Sequence, residues 1–330
     1  MQKSTSSSTI PLIDLSNPEA ENALEIQRAC IDHGFFCVKN HGVLLSLQEE
    51  LDGMARSFFD LPLEEKLRIH MKHAGHAWRG FFAVGEELTS GKPDLKEGLY
   101  FGEHLTKEDQ RVLSNWPLHG ENLYPNLPQF KEAVENYVRE MTVLAHKLMR
   151  LVSLSLGLEA DFIQRHYTEQ PTVLFRIFHY PPTDTKSESW GVGEHTDYGL
   201  LTILQQDDCG GLEVKTKDGW VPVPPERDVF VCNIGDMLEL LTKGKYVSTP
   251  HRVRNLSGRE RLSFPFFFDP GFNALVEPLP MKGAEDLVEI KRWDDANLHR
   301  FKGTYRSYLL GKISKVFPDL ASSELGKSKK

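Results

Sequence analysis

The residues best suited to chemistry are His195 and Asp197, in the run His195-Thr196-Asp197. On a β-strand, residues i and i+2 point to one side, so an imidazole and a carboxylate would face one point. On a helix they would diverge by about 200°, from 3.6 residues per turn. A third ligand would complete a metal site. The best candidate is His251, in Thr249-Pro250-His251-Arg252-Val253, on a later strand. Two histidines and one carboxylate on one face of an ion leave its other positions open. That suits non-haem Fe(II), which must take a co-substrate and oxygen together. Structural zinc would want a closed tetrahedral shell, usually with cysteine. Alone, His-x-Asp also fits a satisfied surface pair at a strand end.

Arg261-Leu262-Ser263 is a second i, i+2 pair in a strand-like run. An arginine pointing into a barrel is costly unless an anion meets it. Its planar fork matches a carboxylate, and a neighbouring hydroxyl can donate to the same oxygen. Tyr180, before Pro181-Pro182, supplies a further hydroxyl. Together these describe a pocket for a small dicarboxylate near the metal. Taken singly, Arg261 also reads as an exposed residue after the charged pair Arg259-Glu260.

The elements that must hold these groups can be read from periodicity. Ile10 to Leu15 reads as an edge strand, since proline is tolerated there. A helix is expected to about Asp32, stopped by Gly34, then a strand over Phe35 to Lys39 and a second helix carrying Leu47, Leu51, Met54, Phe58 and Phe59. Residues 60–126 resist assignment. A long helix is expected over 128–156, with Phe130, Val134, Tyr137, Met141, Leu144, Leu148 and Leu151 at helical spacing. Strand-like runs follow at 172–180, 200–205, 212–214, 229–232 and 262–268, with a hairpin at Asp218-Gly219. Helix is expected again over about 285–316. The fold class expected is mainly β with flanking helices, around a double-sheet jelly roll. The division expected is an N-terminal α/β region over 1–126, the jelly-roll domain with its supporting helix over 127–316, and a polar tail over 317–330.

Composition narrows the partners. The chain has 330 residues, 39 Lys and Arg against 47 Asp and Glu, and a net charge of −8, which argues against a nucleic-acid partner. With 40% apolar and 26% charged residues it is ordinary globular material. Cys30, Cys37, Cys209 and Cys232 form no C-x-x-C pair, so reduced thiols are expected, with Cys37 and Cys232 in the core. No run of 18 apolar residues occurs, so no membrane span is expected. Residues 1–9 lack the apolar stretch of a signal peptide. A cytoplasmic monomer acting on a small molecule is the expectation. His70, His73 and His76 (i, i+3, i+6) could line a helix as metal ligands, but a solvated loop is the favoured reading.

The order His195-x-Asp197, 53 intervening residues, His251, then Arg261-x-Ser263 resembles the 2-oxoglutarate- and Fe(II)-dependent oxygenases. It is most similar to the branch with isopenicillin N synthase, 1-aminocyclopropane-1-carboxylate oxidase and the plant flavonoid and hormone oxygenases. The runs Ile10 to Leu15, Gly34 to Val43, His195 to Thr202 and Asn233 to Asp236 share that likeness, which covers about residues 9–310.

The resemblance implies a double-stranded β-helix with His195, Asp197 and His251 as iron ligands. Arg261 and Ser263, assisted by Tyr180, would hold the distal carboxylate of 2-oxoglutarate. O2 would be the oxidant and ascorbate a candidate auxiliary. Hydroxylation, desaturation or dealkylation of a metabolite of secondary metabolism would release succinate and CO2. Many relatives carry Asn two residues before the tyrosine, where this chain has Phe178. Phe267 matches a substrate-lining aromatic. Arg79-Gly80-Phe81, Glu97 to Tyr100 and Trp116 are candidates for a lid over the substrate, with packing an equal reading, and Arg79, Phe81 and Tyr100 are the candidate substrate residues among them. Three rivals remain: a related oxidase that takes no 2-oxoglutarate, a non-enzymatic sensor on the same fold, and a cupin-like metal isomerase.

Overall fold

The computed structural model describes residues 9–89, 91–182, 190–281 and 298–316, apart from the side chain of His299. The expected tail and residues 285–297 of the helix expected over about 285–316 lie outside them. Fourteen strands occur among the described residues: β1 (Leu12–Asp14), β2 (Phe35–Lys39), β3 (Gly80–Phe82), β4 (Leu88–Thr89), β5 (Lys92–Pro93), β6 (Glu97–Gly102), β7 (Thr172–Tyr180), β8 (Val192–His195), β9 (Leu201–Gln206), β10 (Leu212–Thr216), β11 (Gly219–Pro222), β12 (Phe230–Ile234), β13 (His251–Val253) and β14 (Arg261–Asp269). Eight of them form one sheet in the order β1-β2-β12-β9-β14-β7-β6-β3, and β11-β10-β13-β8 form a second. This is the jelly-roll arrangement, with a cavity lined from both sheets.

Period-two alternation sorts the central strands into two faces. On β14, Leu262, Phe264, Phe266 and Phe268 are fully buried on the face away from the cavity. The helix Phe130–Ser155 backs that face, with Tyr137 packed on Phe175 of β7 and His146 on Phe268. Phe130, Val134, Tyr137, Met141, Leu144, Leu148 and Leu151 form its buried stripe, as the helical spacing requires. The other face of β14 turns Arg261, Ser263, Pro265, Phe267 and Asp269 into the cavity.

Strands from residues 9–126 join the large sheet. β1 and β2 extend the large sheet beyond β12, and β3 and β6 extend it beyond β7. The helices Glu19–Asp32 and Leu45–Phe59 lie on this extension, and Tyr305–Val316 contributes Leu309, Lys312 and Ile313 to the cavity wall. Cys232 is fully buried, whereas Cys37, expected in the core, is only partly so because it sits on the penultimate strand.

Candidate metal centre and co-substrate pocket

Antiparallel pairing of β8 with β13 sets His195 opposite His251, with ring centroids 4.2 Å apart. Each imidazole places Nδ1 against a backbone carbonyl, Gly193 for His195 at 2.8 Å and Thr249 for His251 at 3.2 Å. Donation of Nδ1–H to those oxygens leaves both Nε2 lone pairs free. They converge on one carboxylate oxygen: Asp197 Oδ1 lies 3.8 Å from His195 Nε2 and 3.7 Å from His251 Nε2. The three residues are a potential ligand set.

Strand alternation is not what aligns His195 with Asp197. β8 ends at His195, and Asp197 lies in the turn that follows. Long-range contacts hold it instead. Its carbonyl accepts from the Asp236 amide at 2.8 Å. Its Oδ2 accepts from Thr202 Oγ1 at 2.5 Å and Asn233 Nδ2 at 2.7 Å, two residues paired across β9 and β12. With Oδ2 engaged, Oδ1 is the oxygen offered to an ion. Burial would raise the Asp197 pKa, but His251, His195, Asn233 and Thr202 outweigh it and hold the carboxyl below its usual value. Burial, then the neighbouring His195, pushes His251 down to about 4, so its ring is neutral and able to ligate at neutral pH.

Thr202 and Asn233 stand in the sequence only as parts of the matching runs; a role toward Asp197 needs the β9–β12 register, which no local spacing reveals. Asn233→Ala should lower metal affinity roughly 10- to 100-fold, the usual cost of removing a partner that orients a ligand. Fe(II) titration of the apoprotein measures this, and unchanged affinity would show Asn233 to be packing only.

The β7–β14 register pairs Arg261 with Tyr180, Ser263 with Phe178, and Phe267 with Leu174. The three polar groups expected to grip a carboxylate thus share one corner of the cavity. Arg261 is 1% exposed. Its Nε donates to the Gly210 carbonyl at 2.6 Å, its carbon lies 4.7 Å from the Tyr180 ring centroid, and both Nη atoms lack a partner among the described residues. A buried fork with two idle donors fits a carboxylate guest. Phe178 turns its ring into the same cavity and packs edge-on to Tyr180, so an apolar surface stands beside the co-substrate corner.

The cavity encloses about 500 Å³, within the range of small-molecule sites. Phe267, Tyr100 and Arg79 line it as expected of substrate residues. Phe81 does not, and this expectation is corrected. Its ring is fully buried against Phe58, with the Lys66 ammonium 5.5 Å from its centroid, because alternation on β3 turns it from the cavity into the core. Glu97 likewise binds Lys66 and His179, and Trp116 stacks on Phe272, both away from the cavity. His70, His73 and His76 lie around two short 3-10 turns, where His70 meets Glu86 at 3.0 Å, and they form no ligand cluster among the described residues.

A jelly roll holding an open-sided two-histidine, one-carboxylate set beside a buried, unpaired guanidinium defines a non-haem iron oxygenase. Comparison with known proteins narrows the class. Residues 10–127 match the family described as the non-haem dioxygenase in morphine synthesis N-terminal region, and residues 169–270 match the 2OG-Fe(II) oxygenase superfamily. A probable iron/ascorbate oxidoreductase of Dictyostelium discoideum is 45% identical over 96% of this chain and 97% of its own. A homoarginine-6-hydroxylase of Glycine max is 35% identical over 96% and 99%. A full-length Neurospora crassa protein, crystallised in complex with alpha-KG, superposes with a TM-score of 0.76 at 26% identity, covering 92% of this chain and 96% of that one. The chain belongs to the 2-oxoglutarate- and Fe(II)-dependent oxygenase superfamily, and its cofactors are Fe(II) and 2-oxoglutarate.

Proposed function

We propose that His195, Asp197 and His251 ligate the Fe(II), that Arg261, Ser263 and Tyr180 hold the distal carboxylate of 2-oxoglutarate, and that Phe267, Tyr100 and Arg79 face the substrate. The enzyme oxidises a small organic metabolite while 2-oxoglutarate becomes succinate and CO2. The observation that carries the assignment is the Arg261 fork, buried with both Nη donors idle, in the cavity that also holds the triad.

Bound iron supplies the oxygen activation that no side chain provides. The chain's own groups do the rest. Gly193 and Thr249 carbonyls fix the two imidazole tautomers, and Thr202 and Asn233 aim Asp197. Arg261 sets the co-substrate's reach from the metal. Leu174, Phe178 and Phe267 keep the cavity poor in water, which protects a reactive centre. Ascorbate serves as an auxiliary reductant. Four unpaired cysteines, and no described helix long and apolar enough to cross a membrane, support a cytoplasmic setting. The acidic balance supports a small-molecule rather than a nucleic-acid partner, and we take the working unit as a monomer.

The test is stoichiometry. Protein with Fe(II), 2-oxoglutarate and a metabolite panel should consume O2 and form succinate in equal amounts, and a chelator should stop both. Oxygen uptake without succinate would favour an oxidase that takes no 2-oxoglutarate.

A further inference from the structure

Beyond the metal and co-substrate residues, the cavity wall carries Arg79 and Lys96, both buried, and the partly exposed Arg176, beside the carboxylates of Glu87 and Asp269. Lys96 is compensated: Nζ lies 2.7 Å from Glu87 and also binds Asp94. Arg176 is not. Its only ion pair among the described residues is with Glu87, 3.5 Å from Nη1, and that carboxylate already serves Lys96 and accepts from the Tyr100 hydroxyl. The Arg176 Nε has no partner among the described residues. The guanidinium sits between rings, 4.1 Å from the Tyr100 centroid and 4.9 Å from that of Phe267. Alternation along β7 turns it into the cavity on the same face as Tyr180, four residues on.

Arg79 is still less compensated. It is 3% exposed, donates from Nη2 to the Leu118 carbonyl at 2.8 Å, leaves Nε without a partner, and has no ion pair among the described residues. Gly102 makes its seat: a Cβ there would lie 2.1 Å from Arg79 Nη2. Burial draws the Arg79 guanidinium down to about 10, the Tyr124 phenol opposing and the like charge of Arg176 assisting. Arg79, Lys96 and Arg176 thus share the wall with Glu87, Asp94 and Asp269, and Arg79 is the buried charge left without a carboxylate of its own among the described residues. Such a charge is strongly unfavourable to bury unless an anion meets it.

We propose that the substrate carries a carboxylate, and that Arg176, with Arg79 nearby, binds it against the Tyr100 and Phe267 rings. A planar fork with a free Nε suits a carboxylate, and the rings and Leu174 suit an apolar body attached to it. The inference rests on the iron and 2-oxoglutarate assignment and gives that site its substrate class.

The experiment is calorimetric titration of the protein loaded anaerobically with Fe(II) and 2-oxoglutarate. The probes are hexanoate, phenylacetate and L-arginine, each beside its primary amide. At least one acid should bind about ten-fold or more tightly than its amide. Arg176→Gln should erase that preference and Arg176→Lys should restore part of it, while 2-oxoglutarate affinity stays within about two-fold in both. Should Arg176→Gln fail to fold by circular dichroism, Arg79→Gln is the second variant, expected to weaken the acid and spare the amide. Equal affinity of acids and amides would overturn the proposal. So would a preference that survives both Gln variants, or no acid binding below about 10 mM, the limit of a useful carboxylate contact. Failure of the wild type to bind 2-oxoglutarate would instead strike the underlying assignment, and the substrate class with it.

Discussion

Asp197→Ala is expected to abolish Fe(II)-dependent turnover, by more than about 1,000-fold, since even groups that merely orient a ligand cost roughly 10- to 100-fold. Asp197 supplies the single negative charge of the ligand set, and its Oδ1 is the point on which both Nε2 atoms converge. Its removal also strands the Thr202 hydroxyl and the Asn233 amide, which donate to its other oxygen. Each stranded buried donor costs roughly 1–3 kcal/mol, so the variant should also melt lower. Iron content after dialysis, succinate formation and the melting curve separate the two effects. Full turnover in a folded variant would remove Asp197 from the metal, and the reading of the centre with it.

Arg261→Ala should raise the KM for 2-oxoglutarate by roughly 100-fold or more. Breaking a buried charge pair by deleting one partner costs roughly 3–5 kcal/mol, and each 1.4 kcal/mol is about ten-fold. Among the described residues the Arg261 fork has only the Gly210 carbonyl on Nε, which leaves its Nη donors for the guest. Arg261→Lys should recover part of the loss, because an ammonium keeps the charge but not the two-pronged geometry. The variant should also lose its preference for 2-oxoglutarate over a 2-oxo acid that lacks the distal carboxylate. An unchanged KM would move the co-substrate pocket elsewhere in the cavity.

Much of the frame is legible in the residue pattern. The strand expected over residues 172–180 is Thr172–Tyr180, and the long helix expected over 128–156 is Phe130–Ser155. Both are strongly periodic, and each buries one continuous apolar face. The segment over residues 60–126 is not legible because its elements are short: β4 and β5 have two residues each, and β3 has three. Such strands carry no more than about one and a half periods of the two-residue alternation. Phe81 shows the consequence, since on a three-residue strand the sequence does not say which side faces the cavity. Arg176 was within reach, because it lies four residues before Tyr180 on one strand and must share its face.

By itself the sequence determined which residue types are available for chemistry, the order in which they occur, and the long elements that carry them. Those depend on local periodicity and on side-chain chemistry, both written in neighbouring residues. Only the tertiary structure decided that Asp197 reaches the histidines from a turn, with Thr202 and Asn233 as its donors. It also decided which buried charges are balanced, with Lys96 matched by Glu87 and Asp94 and Arg79 unmatched among the described residues. The reason is physical: compensation of a buried charge is set by strand register and loop approach between residues far apart in the chain, and no spacing along the chain encodes that distance.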